Sequence, residues 1–339
     1  MTITSQKTSP NTARTDARHL ASVIAPRLLT DGGAVIFLIV LIVGFSIALP
    51  DRFPTLGNVQ LLLGSYAIPL ILALAVTLPL IAGEFDLSVG GTLGIAAVFS
   101  AYTVSNGWPV ALVFIGSISI GILVGIVNGF LVTRLQVSAF IATLGMGTVL
   151  AGGNLLMTQG QVIYEGIDSS FTDISGAPFL ALSRVTFYAF AVALVLWYLI
   201  EQTPFGRYLR ATGAGREAAR LTGVKTSQTL FLSFVLAGAF AALAGFLQAS
   251  RAGSAAPDVG PSFLLPAYAA AFLGATTILP GRFNVWGTVV GVAILAVGIT
   301  GLNLAGSALW VPDVFNGAAL ILAVAVSAAV RRRRRDDKS

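Results

Sequence analysis

The chain is a succession of apolar runs, each about as long as a bilayer is thick, separated by short polar breaks. A helix needs roughly 20 apolar residues to cross the hydrocarbon core, and runs of that order recur at 34–49, 59–82, 88–105, 108–133, 138–158, 184–201, 229–251, 264–279, 285–305 and 310–330. Where water is excluded, only helices and closed barrels satisfy every backbone N–H and C=O, and runs of this length belong to helices. The expected fold is an all-α polytopic membrane protein with about ten transmembrane helices. Of 339 residues, 56% are hydrophobic and 10% charged, against about 25% charged in an average soluble chain. Ten spans consume about 200 positions, which leaves no room for a soluble catalytic domain.

Charge placement sets the topology. Of the 20 Lys and Arg residues, all but Arg52, Arg184 and Arg251 fall in segments that ten spans place on one side. Short cytoplasmic loops are enriched in these residues, so both termini are expected in the cytoplasm. The domain division that follows is a polar, disordered N-terminal tail over 1–33, a membrane domain over 34–330 and a basic C-terminal tail over 331–339. The net charge of +6 does not call for nucleic acid. Basic residues beside span ends are attracted by anionic headgroups, so the lipid bilayer is their partner and no nucleic acid is expected.

Several chemistries are excluded by what the sequence lacks. There is no cysteine, and the single histidine, His19, lies in the N-terminal tail. Cysteine nucleophiles, iron–sulfur clusters, a Ser–His protease and a bis-histidine haem site would each need such residues within the spans. No Gly-Lys pair occurs, so the chain has no P-loop of its own. No bound cofactor, no metal and no catalytic residue are expected.

Charges at span breaks are costly and therefore informative. Ile81-Ala-Gly-Glu-Phe-Asp-Leu-Ser-Val-Gly-Gly-Thr92 carries Glu84 and Asp86. Asp86 is placed to cap the following helix, with Gly83, Gly90 and Gly91 permitting close backbone approach. The same segment also fits a broken helix beside a translocation path. The polar side chains expected to line such a path are Glu84, Asp86 and Ser88 with Tyr66, Asn128 and Asn154, and Gln159 offers a further polar group.

The Arg-rich segment over 203–225 is the second informative stretch. Gly215 and Gly223 bracket a short helix, expected over 216–222, with Glu217 favourably placed in its first turn. Arg216 and Arg220 share one face at i, i+4. Ala218, Ala219 and Leu221 make a small face suited to close docking. Isolated helices this short are marginal in water, so a surface or a partner must hold it, and the small face favours a partner. Gly121, Gly125 and Gly129, like Gly287 and Gly291, are spaced for close helix packing. The acidic outer segment over 158–183, with Glu165, Asp168 and Asp173, is open to an external partner. Gly83-Glu-Phe-Asp86 is echoed weakly by Gly281-Arg-Phe-Asn284.

Four stretches in order resemble one family. Gly83-Glu-Phe-Asp-Leu-Ser-Val-Gly90, Phe140-Ile-Ala-Thr-Leu-Gly145, Thr203-Pro-Phe-Gly-Arg207 with Arg216-Glu-Ala-Ala-Arg-Leu-Thr-Gly223, and Gly281-Arg-Phe-Asn-Val-Trp-Gly-Thr288 are similar to permease subunits of bacterial ATP-binding-cassette (ABC) importers for ribose and related sugars. The resemblance covers about residues 35–330. It implies an inner-membrane permease, not an enzyme, that receives a ribose-like monosaccharide from a periplasmic sugar-binding protein. It also implies a second permease copy, identical or paralogous, and a cytoplasmic ABC ATPase subunit that hydrolyses the ATP.

By the same resemblance, Gly206, Arg207, Gly215, Arg216, Glu217, Ala218, Ala219, Arg220, Leu221 and Gly223 belong to the loop that couples to the ATPase. The chain departs from the usual family pattern at Glu84 and Phe85, where Gly and Ile are common, at Gly213-Ala-Gly215, and at Ala275. Glu84 leaves open an ABC permease for nucleosides or branched-chain amino acids. An ion-coupled secondary transporter using Glu84 or Asp86 is the remaining alternative.

Overall fold

The computed structural model describes residues 33–279 and 281–336. The N-terminal tail expected over 1–33 lies, apart from Gly33, outside the described residues. The chain runs through α1 (Gly33–Ala48), α2 (Leu56–Ile81), α3 (Ser88–Ser105), α4 (Val110–Thr133), α5 (Ala139–Thr158), α6 (Ser169–Gly176), the strands β1 (Pro178–Phe179) and β2 (Leu182–Ser183), and α7 (Arg184–Trp197). A π-helical turn, Tyr198–Gln202, continues α7 into α8 (Pro204–Ala214). Then come α9 (Arg216–Leu221), α10 (Thr226–Ala252), α11 (Pro261–Gly274), α12 (Val285–Leu304) and α13 (Val311–Asp336).

Among the described residues, seven helices are long and apolar enough to cross a membrane: α2, α3, α4, α5, α7 with its π turn, α10 and α12. Shorter apolar helices are α1, α11 and the Val311–Ala325 part of α13. The chain is thus an all-α, multi-pass membrane protein. Each apolar run of the sequence falls on one of these helices, with shifted ends. The run expected to reach 279 stops at Gly274. There the Thr276 and Thr277 hydroxyls donate to the Leu273 and Gly274 carbonyls, and the Gly281 N–H donates to Ala275 O at 2.8 Å. Hydroxyls that bond back to the main chain compete with the helix ladder. At the other end, α13 continues to Asp336, through the segment expected to be a tail over 331–339.

Lipid chains are as apolar as leucine, so helices in a bilayer associate by close packing and interhelical hydrogen bonds. The small residues of the sequence serve that purpose. A Cβ on Gly121 would collide with the Gly238 carbonyl, and one on Gly125 with the Phe234 carbonyl, so α4 lies backbone against backbone on α10. Gly245 meets the Leu93 carbonyl of α3 in the same way. Gly287 and Gly291 bring α12 onto the Gly274 and Ala270 carbonyls of α11. The core lies between the inner two-thirds of α2, buried almost continuously from Ala67 to Ala82, and helices α3 and α10. At the periphery, α1 buries no residue, and α5 buries one narrow stripe that includes Ala142, Thr143, Leu150 and Asn154.

The acidic segment between α5 and α7 is folded. Asp168 caps α6, accepting from the Ser170 hydroxyl at 2.7 Å and the Phe171 N–H at 3.3 Å. The antiparallel strands that follow pair Pro178 with Ser183 and Phe179 with Leu182. Leu180 and Ala181 both have positive φ, 46° and 67°, as a two-residue hairpin turn of the primed type requires. Ile163 forms an isolated antiparallel bridge with Ala255, which ties this segment to the end of α10.

Candidate functional site

The site grows from the way α2 ends. The Gly83 N–H donates to Leu80 O at 3.1 Å and the Glu84 N–H to Pro79 O at 3.0 Å, the pair of bonds that closes a helix around a left-handed residue. Gly83, with φ of 85°, supplies that conformation without a Cβ penalty. The five residues that follow this closure reach five different helices.

Asp86 is buried, and one oxygen of its carboxylate is engaged by its own chain. Oδ1 accepts from the Ser88 N–H at 3.0 Å and from the Ser88 hydroxyl at 2.6 Å. The sequence places Asp86 as the cap of this helix, but α3 begins at Ser88 and its N-cap position is Leu87, without a side-chain cap bond; Asp86, one residue earlier, instead closes a tight turn onto Ser88. The Asn128 amide on α4 donates to Ser88 Oγ at 2.8 Å, and Asn128 Oδ1 has no partner among the described residues. The Asp86 N–H donates to the Tyr268 hydroxyl on α11 at 3.0 Å, and the Leu87 N–H to Thr143 Oγ1 on α5 at 3.0 Å. Residues 86–88 therefore knot α3, α4, α5 and α11 together. A polar knot buried among apolar helices is stabilising only when its donors find acceptors, and here the main-chain N–H groups of all three residues do.

Of the polar residues expected along a path, the structure brings Asp86, Ser88 and Asn128 into this knot and sets the others apart. Asn154 bonds the Pro257 carbonyl at 3.2 Å through its amide nitrogen. Tyr66 lines a crevice with Pro69, Pro266 and Asn316. Gln159 is exposed and donates to the Leu156 carbonyl at 2.9 Å. Glu84 turns away from the knot: its Oε1 accepts from Arg216 Nη2 at 2.7 Å, at the start of α9. Tyr268 and Thr143 were not anticipated. Thr143 lies within the Phe140–Gly145 stretch that carries part of the family resemblance, and Tyr268 is the sole tyrosine of α11.

Phe85, between the ion pair and the knot, is 41% exposed. Its ring stacks on Tyr268, with centroids 6.0 Å apart, and on Phe272 at 6.2 Å. Phe272 in turn meets Phe283 edge to face at 5.1 Å. Beside them a cavity of about 600 Å³ is lined by Gly83, Arg210, Gly213, Gly281, Arg282 and Phe283, among others. The weak sequence echo therefore has a spatial counterpart. Gly281, with φ of 80°, ends the turn after α11, and the Asn284 carboxamide caps α12 by accepting from the Gly287 N–H at 2.7 Å.

The Arg-rich segment is more ordered than a loop with one short helix. The Thr203-Pro204 pair starts α8, whose first residue is proline, and Thr or Ser before a proline at the first helical position is a recognisable start signal. Gly206 lies against the Ile200 carbonyl and Gly213 against the Ile81 carbonyl, where a Cβ would collide in each case. Arg210 pairs with Glu201 of the π turn, and Arg207 is exposed.

The short helix α9 spans Arg216–Leu221, one residue less than expected, and Gly223 (φ 88°) follows it. Ala218 is exposed and Leu221 is 85% exposed, but Ala219 is buried against the protein. The outward small face is thus Ala218 and Leu221 without Ala219. Glu217 pairs with Arg220 at 2.9 Å in the open.

Elsewhere, the Ser170 hydroxyl and then the Phe171 N–H hold the Asp168 carboxyl below its ordinary range. Among the described residues no group of three or more His, Cys, Asp or Glu is placed to hold a metal ion.

Comparison with known proteins finds relatives over most of the chain. The ribose import permease protein of Haemophilus influenzae is 33% identical over 281 residues, covering 82% of this chain and 87% of that protein. The Bacillus subtilis ribose import permease protein is 34% identical over 293 residues, 86% of this chain and 91% of its own. The galactose/methyl galactoside import permease protein of Haemophilus influenzae is 32% identical over 311 residues, 86% and 93% of the two chains. No solved structure matches. Residues 58–324 match the family described as branched-chain amino acid transport system / permease component, and the chain belongs to that permease family.

Proposed function

We propose that this chain is the membrane-spanning permease subunit of an ABC importer in a bacterial inner membrane, carrying a monosaccharide of the ribose or galactose class. The observation that carries the reading is the joint one. Relatives at about a third identity over most of both chains bear the names of sugar import permeases, and the fold holds a short helix, α9, with Leu221 turned outward. The chain has no P-loop, so ATP is hydrolysed by a separate cytoplasmic subunit, and the chain itself is not an enzyme. A sugar-binding protein outside and a second permease copy complete the assembly.

In this reading α9 docks on the ATPase through Ala218 and Leu221. Closure of the ATPase pair on ATP displaces α9 and shifts the helices between two arrangements. Such a switch needs an interaction that differs between the two states. The docked face supplies it from one side and the knot of residues 86–88 receives it on the other. The pore itself needs only weak contacts with sugar, because selection by the binding protein precedes it.

The test is purification of the C-terminally tagged chain in mild detergent, with mass spectrometry of what accompanies it. A stoichiometric P-loop protein in the wild type, lost on Leu221→Asp while the permease stays in the membrane, is the expected result. A permease that purifies alone and moves solute in liposomes under an ion gradient would overturn the reading.

A further inference from the structure

Two sites 132 residues apart meet: Glu84, in the break between α2 and α3, and Arg216, the first residue of α9. We propose that the Glu84–Arg216 ion pair is the tie through which movement of α9 reaches the buried knot at Asp86, making both side chains positioning residues for coupled transport. The inference rests on the importer reading and adds to it a route that neither residue reveals alone.

The anchorage at each end makes the pair a mechanical element. On the permease side, the closure at Gly83 ties the Glu84 N–H to the Pro79 carbonyl of α2. Within four residues Asp86 bonds Ser88 and, through its N–H, Tyr268; Leu87 bonds Thr143; and Ser88 accepts from Asn128. A pull on Glu84 thus acts on four helices at once. On the other side, α9 has only six residues, too few to hold its shape or position without tertiary contacts. Ala219 is its one buried residue, and Arg216 is its one charged tie to the membrane domain among the described residues.

The remaining charges around the pair have other partners or other positions. Arg210 is engaged by Glu201, and Glu217 by Arg220. Arg282 lies across the cavity wall. The pair itself is half-exposed, at 37% and 27% of side-chain surface for Arg216 and Glu84. Such a pair contributes little to global stability. Its worth lies in direction, because it holds the two segments in one relative position.

The experiment measures solute imported per ATP hydrolysed by the complete transporter in liposomes, with its binding protein. Glu84→Gln and Arg216→Gln are each expected to lower that ratio by about two- to fivefold, the range open to a half-exposed pair. The exchange Glu84→Arg with Arg216→Glu is expected to return it to within about twofold of wild type, because the tie depends on opposite charge and not on which end bears it. Recovery in the exchange is a readout that a merely structural role of either residue does not produce. Wild-type ratios in both single variants, or an exchange no better than the singles, would overturn the proposal while leaving the importer reading intact. A wild-type complex whose ATP hydrolysis ignores the binding protein would overturn both together.

Discussion

Gly213 in α8 lies so close to the Ile81 carbonyl at the end of α2 that a Cβ at this position would collide with it. The contact is backbone on backbone, so neither side can yield as a flexible side chain does. It holds α8 against the end of α2, three residues before Arg216 and its ion pair.

Gly213→Ala is therefore expected to cost about 1–3 kcal/mol, the usual price of forcing atoms into a filled contact. Gly215→Ala serves as the contrast. Gly215 has φ of 174°, extended backbone open to any residue, and its added Cβ would meet Ala218 Cβ at an ordinary 3.8 Å. Its effect should stay within about 0.5 kcal/mol. Thermal unfolding of the two purified variants in the same detergent ranks them, and equal midpoints would show that α8 does not depend on the approach to Ile81.

Asp86 separates charge from hydrogen bonding in the knot. Asp86→Asn keeps an oxygen able to accept from the Ser88 N–H and hydroxyl, the two donors now at 3.0 and 2.6 Å. Asp86→Ala leaves both donors without that acceptor, at a cost of about 1–3 kcal/mol. The alanine variant should unfold at lower temperature than the asparagine variant. Equal midpoints, both well below wild type, would mean that the carboxylate charge, and not its acceptor role, holds the knot.

Asp168 predicts an acid-sensitive cap. Hydrogen bonds from the Ser170 hydroxyl and the Phe171 N–H lower its folded-state pKa, so the folded form binds its proton less readily than the unfolded form does. The cap's contribution is complete above the ordinary Asp value of about 3.9. It fades as pH falls through that value towards the lower folded one. Protection of the Phe171 amide from hydrogen exchange, corrected for intrinsic rate, should decline below about pH 4. In Ser170→Ala the folded value rises towards the ordinary one, so the decline should be smaller and end at higher pH; an unmoved midpoint would remove the serine from the cap.

Much of the architecture is legible in the apolar runs. A backbone in hydrocarbon has no partner but itself, so run length alone locates helices such as Val110–Thr133 and Val285–Leu304 to within two residues of the expected ends. The spacing of Gly121, Gly125, Gly287 and Gly291 likewise announces close packing, because nothing larger fits where two backbones meet. Local chemistry read less completely. The Thr203-Pro204 start of α8 is in the sequence, but the segment's high charge made it resemble a loop.

What the sequence by itself determined is therefore the class of fold, the family, and the small residues at which helices pack closely. Only the tertiary structure decided that Glu84 faces Arg216 and not the buried polar knot, that Ala219 turns inward while Leu221 turns out, and that Tyr268 and Thr143 complete the bonds around Asp86. The physical reason is range. Helix formation in a membrane and capping are enforced within a few residues of chain, whereas an ion pair spanning 132 positions exists only once helix packing has carried its two ends together.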